Sequence, residues 1–288
     1  MSGLLPGFTP FAEDVPGARI VGRRAGSGPA VLLLHGYPQT GAMWHHLAPA
    51  LARERTVVVP DLRGYGASTS HDQSMTFRSM AADQVAVMAR LGLDRFDVVA
   101  HDRGARTAHR MALDHPDRVA SVALLDILPT LDVWAEMDAW LASRYFHWTF
   151  LSQGGGLPER LVAAEPVAWL HHALGALGGT GGMHPDAVAE YEAAARHPSV
   201  SAAWCADYRA AAGEDLEHDR ADEARTLPHP ALVLWGERGV VGARTDPVRA
   251  WRAWFPAARG HAVDAGHFLA EEAPDAVLEA VREHLGAV

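Results

Sequence analysis

The stretch VVAHDRGARTAHR, residues 98–110, places an acid, Asp102, where an apolar run stops and a helix-forming run begins. Small residues stand two positions either side of it, Ala100 and Gly104. A tight turn that thrusts one side chain forward needs such small neighbours. A second acid, Asp126, ends the next apolar run, and His267 follows in DAGHF near the chain's end. Nucleophile, acid and histidine in that order form a hydrolytic set. A carboxylate can displace a leaving group from saturated carbon, forming an ester that water then cleaves. Serine in its place would be alkylated to an ether, with no carbonyl for water to attack. Taken alone, Asp102 could equally be an N-cap of the following helix.

Arg103 and Arg106 follow directly and lie three apart, on one face of that helix. Two guanidinium groups there can grip a carboxylate through charge-assisted hydrogen bonds. The ordinary alternative, surface salt bridging, is the reading for Arg110. Ligands in open α/β sheets gather at the carboxyl ends of strands. His35, Asp61 and Glu237 fall at such ends and join the candidates. His45, His46, His171 and His172 read as surface or structural groups. Cys205, the one cysteine, reads as a small buried hydrophobe. No HExxH-type spacing appears, and no GxGxxG follows a strand, so neither a metal nor a dinucleotide is expected.

The elements that position these residues follow from patterning. Continuous apolar runs at 30–36, 56–61, 96–102, 119–126 and 231–237 read as strands covered on both faces, with a last short strand at HAVD, 261–264. Helical patterns fill 42–52, 77–92 and 103–116 between them. This alternation predicts an α/β fold with a mostly parallel, doubly wound sheet. From 130 to 222 no buried strand is visible and Trp, Tyr, His and Ala dominate, with helical spacing at 185–197. A helical insertion, 130–222, therefore interrupts a core made of 1–129 and 223–288. The glycine patches at 154–156 and 178–182 within it read as connectors.

The chain has 288 residues, 49% of them hydrophobic, and a formal net charge of −10. Such a charge disfavours nonspecific binding to nucleic acid or an anionic membrane. No stretch reaches the roughly 18–20 apolar residues of a membrane span, and MSGLLPGFTPFAEDVPG lacks a basic secretory n-region. A cytoplasmic protein is expected.

HGYPQTGAMWHHLAPAL, DLRGYGAS, AHDRGARTAHRMALDHP, LLDILPT and DAGHFLAEEAP together resemble the α/β-hydrolase superfamily. The aspartate at the turn resembles its dehalogenase and epoxide hydrolase branch. HWTFLSQ (147–153), CADYRA (205–210) and LEHD (216–219) are similar to the cap motifs of haloacetate, or fluoroacetate, dehalogenases. The resemblance implies a helical cap over residues 130–222. It implies Asp102 as nucleophile, His267 as base and Asp126 as its orienting acid. The expected oxyanion hole is the backbone N–H groups of Tyr37 and Arg103. Arg103 and Arg106 are implied to hold the substrate carboxylate, and His147, Trp148 and Tyr208 to receive the halide. The implied substrate is a small halogenated carboxylic acid, cleaved without a cofactor, in a homodimer. An epoxide hydrolase and a non-catalytic binding protein of the same fold stand as alternatives; a serine esterase lacks its serine. The match departs at GGGLPER and near Leu177, where relatives carry a bulky aromatic. A roomier pocket is expected there.

Overall fold

The computed structural model describes residues 3–72 and 74–287. Its strands are β1 Thr9–Val15, β2 Ala18–Ala25, β3 Ala30–Leu34, β4 Thr56–Pro60, β5 Thr69–Ser70, β6 Phe96–His101, β7 Val119–Leu125, β8 Ala231–Gly236 and β9 Arg259–Val263. They form one sheet in the order β1-β2-β4-β3-β6-β7-β8-β9, with β5 beside β2. From β4 to β9 neighbours run parallel, while β1, β2 and β5 join antiparallel. Every residue of β3 and β6 is buried, as their unbroken apolar character requires in the middle of a two-sided sheet.

Chain order departs from β3 in one direction to β4 and in the other to β6. This reversal opens a crevice at the strand ends, the place where open α/β sheets bind ligands. Asp102 stands at that crevice, one residue past β6.

The helices of the first core segment are α1 Leu47–Leu51, α2 Phe77–Arg90 and α3 Arg103–Asp114. The pattern at 42–52 resolves into a 3-10 turn, Gly41–Trp44, and α1 rather than one helix. All positions of α3 from Arg103 to Leu113 are buried. A helix hidden all round has protein on its outer side as well as the sheet on its inner side. Gly104 permits the close inner packing: a Cβ there would lie 2.5 Å from the His35 carbonyl oxygen.

Eight helices intervene between β7 and β8: α4 Thr130–Ala135, α5 Ala139–Arg144, α6 Phe146–Leu151, α7 Leu157–Ala164, α8 Pro166–Leu177, α9 Pro185–Ala195, α10 Pro198–Ala211 and α11 Glu214–Asp222. Prolines 158, 166, 185 and 198 open α7 to α10, where a missing N–H costs nothing and φ is already set. The core closes with α12 Pro247–Arg252, α13 Leu269–Glu272 and α14 Pro274–Gly286. Among the described residues no helix is long and apolar enough to cross a membrane.

Candidate active site

The turn after β6 holds Asp102 at φ 46° and ψ −114°, outside the regions an L-residue prefers. Such a conformation costs roughly 1–3 kcal/mol, which the surrounding packing must supply. Asp126, after β7, also has φ 46°. The space facing Asp102 is kept open by Gly36, whose Cβ would lie 2.5 Å from that of Asp102. The Tyr37 N–H donates to Asp102 Oδ2 at 3.0 Å, and among the described residues Oδ1 is the unengaged oxygen. Arg103 begins α3, so its N–H has no acceptor within the helix. It forms no bond to the Asp102 carboxylate among the described residues.

His267 Nδ1 donates to Asp126 Oδ2 at 2.6 Å, and Asp126 Oδ1 accepts from Gly236 N–H at 2.9 Å. The bond to Asp126 places the His267 proton on Nδ1 in the neutral ring, making Nε2 an acceptor. Nε2 is buried and has no partner among the described residues. The backbone of His267 is itself held, its carbonyl accepting from His101 Nε2 at 2.9 Å. Burial works against a charged His267, but the Asp126 hydrogen bond and charge outweigh it and raise its pKa. Burial likewise pushes Asp102 up; His267, His101 and Arg103 reverse this and hold it below the ordinary carboxylate range. The carboxylate is thus ionised, as a nucleophile must be.

Both arginines are buried. Arg103 Nε donates to Asp207 Oδ2 at 2.9 Å, Nη2 donates to the Asp207 carbonyl at 3.0 Å, and Nη2 also pairs with Asp207 Oδ1. Its guanidinium lies 4.3 Å from the Tyr208 ring centroid. Arg106 Nη1 donates to Thr130 Oγ1 at 2.7 Å, and its guanidinium lies 4.6 Å from the Trp148 ring. Arg103 Nη1 and Arg106 Nε are buried without partners among the described residues. His147 and Tyr208 meet the loop after β3, and Trp148 packs behind Tyr208: the His147 ring stacks on Tyr37 at 5.6 Å, and Tyr208 meets Tyr37, His147 and Trp148 edge-on. Burial lowers the His147 pKa to about 3, so the ring is neutral and carries one N–H.

Other candidates have different places. His35 Nδ1 donates to the Gly36 carbonyl and Nε2 accepts from Leu62 N–H, so the ring is a strut between two loops and not a site group. Asp61 accepts from the N–H groups of Gly41 and Ala67, which makes it a loop anchor. The Glu237 side chain is exposed because β8 ends one residue earlier. Arg110 does form salt bridges, but it is buried rather than at the surface, among Asp114, Asp219 and Asp222. His45 is buried while His46, His171 and His172 are exposed, and Cys205 is buried. Near Leu177 the chain is part closed and part open. Leu174 and Leu177 are buried, whereas Ala176 borders a groove of ≈ 390 Å³ that reaches His147 past Trp169 and His172.

Several contributors were not singled out from sequence. His101 was visible beside Asp102 but carries no signal of its own. Trp169 Nε1 donates to the Tyr37 hydroxyl at 2.6 Å, tying the insertion to the loop that holds Asp102. Gln39 and Tyr191 meet the buried carboxyl of Glu271, a second tie between insertion and core.

With this geometry in hand, comparison places the chain. Residues 29–274 match the α/β-hydrolase fold model. The chain belongs to the α/β-hydrolase family. Over 98% of its length it is 41% identical to a fluoroacetate dehalogenase of Burkholderia sp., covering 95% of that protein. It is also 31% identical to a soluble epoxide hydrolase of Corynebacterium sp. (strain C12), over 88% of this chain and 89% of that one. A crystal structure of an α/β hydrolase from Nostoc sp PCC 7120 superposes with a TM-score of 0.93 at 46% identity, covering 96% of this chain and 98% of that one. Within the family, the chain sits in the haloacetate dehalogenase group.

Proposed function

We propose that this protein is a hydrolytic dehalogenase acting on haloacetates such as fluoroacetate, releasing halide and glycolate without a cofactor. The observation that carries the reading is the pair of buried arginines beside Asp102, each with an unpartnered N–H. Arg103 already pairs with Asp207, but among the described residues no carboxylate lies within ion-pair distance of Arg106, and a buried cation left so needs an anion, which a substrate carboxylate supplies. An epoxide, being neutral, does not. The similarity to the Burkholderia fluoroacetate dehalogenase points the same way.

The steps follow from the residues. Asp102 Oδ1 attacks the α-carbon as the carbon–halogen bond breaks, and the halide leaves with the bonding electrons toward His147, Trp148 and Tyr208. Each of these offers an N–H or O–H donor, which replaces the water a halide ion loses. His267 Nε2 then takes a proton from water, which attacks the Asp102 ester carbonyl. Tyr37 N–H, already on Oδ2, stabilises the oxyanion together with Arg103 N–H. Collapse breaks the bond from the carbonyl carbon to the glycolyl oxygen, and the His267 proton goes to the departing product. Asp126 keeps His267 oriented and stabilises its charged form.

Residues 130–222 serve as a cap, since both halide donors and the arginines' outer walls come from them. A cytoplasmic homodimer completes the reading; sedimentation at micromolar concentration tests the dimer. The reaction is tested by halide release from fluoro-, chloro- and bromoacetate, followed with ion-selective electrodes. Enzyme-dependent release is expected, and Asp102→Asn should cut it by on the order of 10⁴-fold or more. Silence on all three haloacids contradicts the reading.

A further inference from the structure

One of the cap's buried carboxylates that the proposed chemistry does not use bears directly on the site. Asp207, on α10, is fully buried and faces two core segments at once. From α3 it takes Nε and Nη2 of Arg103; from the loop after β4 it takes the Tyr65 hydroxyl, 2.5 Å from Oδ2. Two of the three nitrogens of the Arg103 fork are thereby used, and Nη1 alone stays unpartnered. Arg106 differs. No carboxylate lies within ion-pair distance of it among the described residues, and its bond goes to the neutral Thr130 hydroxyl. The electrostatic consequence is divergent: Asp207 outweighs burial and raises the Arg103 pKa, while burial and the Arg103 charge lower that of Arg106 to about 10.

This asymmetry answers a problem built into the site. The nucleophile is an anion, and a mobile arginine next to it would pair with it and blunt its attack. Neither arginine pairs with Asp102 in this structure. Resting on the haloacetate reading, we propose that Asp207 is a positioning residue that divides the work of the two arginines. It neutralises Arg103 and holds its fork off Asp102, leaving one directed N–H for the substrate carboxylate. Arg106 remains the uncompensated cation that balances the substrate's charge. Because Asp207 arrives on the same helix as Tyr208, seating of the cap sets carboxylate recognition and the halide donor together.

The test is Asp207→Asn, which keeps the shape and removes the charge. Arg103 is then released toward Asp102, and one negative charge disappears from a site that binds an anion. The expected result is a split: kcat for chloroacetate falls tenfold or more, while acetate, measured by calorimetry, binds at least as tightly as to the unsubstituted enzyme. A structural prop would lose affinity and turnover together. That outcome, or an unchanged kcat, overturns the proposal. If Asp207→Asn does not fold, Tyr65→Phe removes only the hydroxyl that steadies Asp207, and the same split is expected at two- to fivefold in kcat; its absence overturns the proposal equally. Chloride release by the unsubstituted protein is the separate arm. Its failure together with silence on fluoro- and bromoacetate sinks the dehalogenase reading, while acetate titration of the two proteins still reports on the division between the arginines.

Discussion

The two halves of the site are built by different means. The core half is local and strained: Asp102 and Asp126 sit in left-handed turns directly after strands, and His267 is fixed by Asp126 at 2.6 Å. The cap half is remote and packed. His147, Trp148, Asp207 and Tyr208 come from α6 and α10, and stacked rings and one buried ion pair hold them. In the proposed reaction the core half makes and breaks bonds to carbon and, through the arginines of α3, grips the substrate carboxylate, whereas the cap half steadies those arginines and accommodates the leaving group. Precision of attack needs a backbone that cannot give, and specificity needs a surface that can be changed without disturbing it.

This contrast can be broken on purpose. Arg106→Gln removes the uncompensated cation and should lower kcat/KM for haloacetates by roughly 10²–10³-fold, the cost of losing one partner of a buried charge pair. Steady-state halide release checks it, and a loss below threefold would place carboxylate recognition elsewhere. The pH dependence sharpens the core half. Ester hydrolysis needs neutral His267, so kcat falls as pH drops through its pKa. Asp126 raises that pKa above the ordinary 6.5, so the acid limb should move to lower pH in the residual activity of Asp126→Asn, where the largest force opposing burial is gone. A limb that stays put contradicts the assignment of the pair. The smallest effect concerns the cap's open side. A rigid, tight pocket penalises one extra methyl by about 10–200-fold. With Ala176 on an open groove, 2-chloropropionate should turn over within about tenfold of chloroacetate. A penalty above that range would mean the groove does not widen the pocket.

The same contrast explains what was legible in the sequence. The elbow at Asp102, the acid after the next strand and the histidine in DAGHF are local patterns, and the structure brings all three together. Fold class followed from the buried runs, which end one or two residues before the residues they present, as His35 and Asp61 show. The antiparallel strands β1 and β2 were missed because both are partly exposed and lack a continuous apolar run. The cap was visible as helical but not as eight short helices, since proline placement fixes their breaks more than periodicity does. Asp207 lay within a quoted motif, yet its role depends on a contact with Arg103 across 104 positions, which spacing does not reveal. Glu237 and His35 had the right address at strand ends and the wrong direction of side chain.

The account's central claim is a two-step route through an ester on Asp102. The most direct measurement is the intact mass of His267→Asn after incubation with fluoroacetate. The account predicts one equivalent of fluoride released and a protein heavier by a single carboxymethyl group, mapped by peptide analysis to Asp102. Sustained turnover by this variant with no added mass would contradict it.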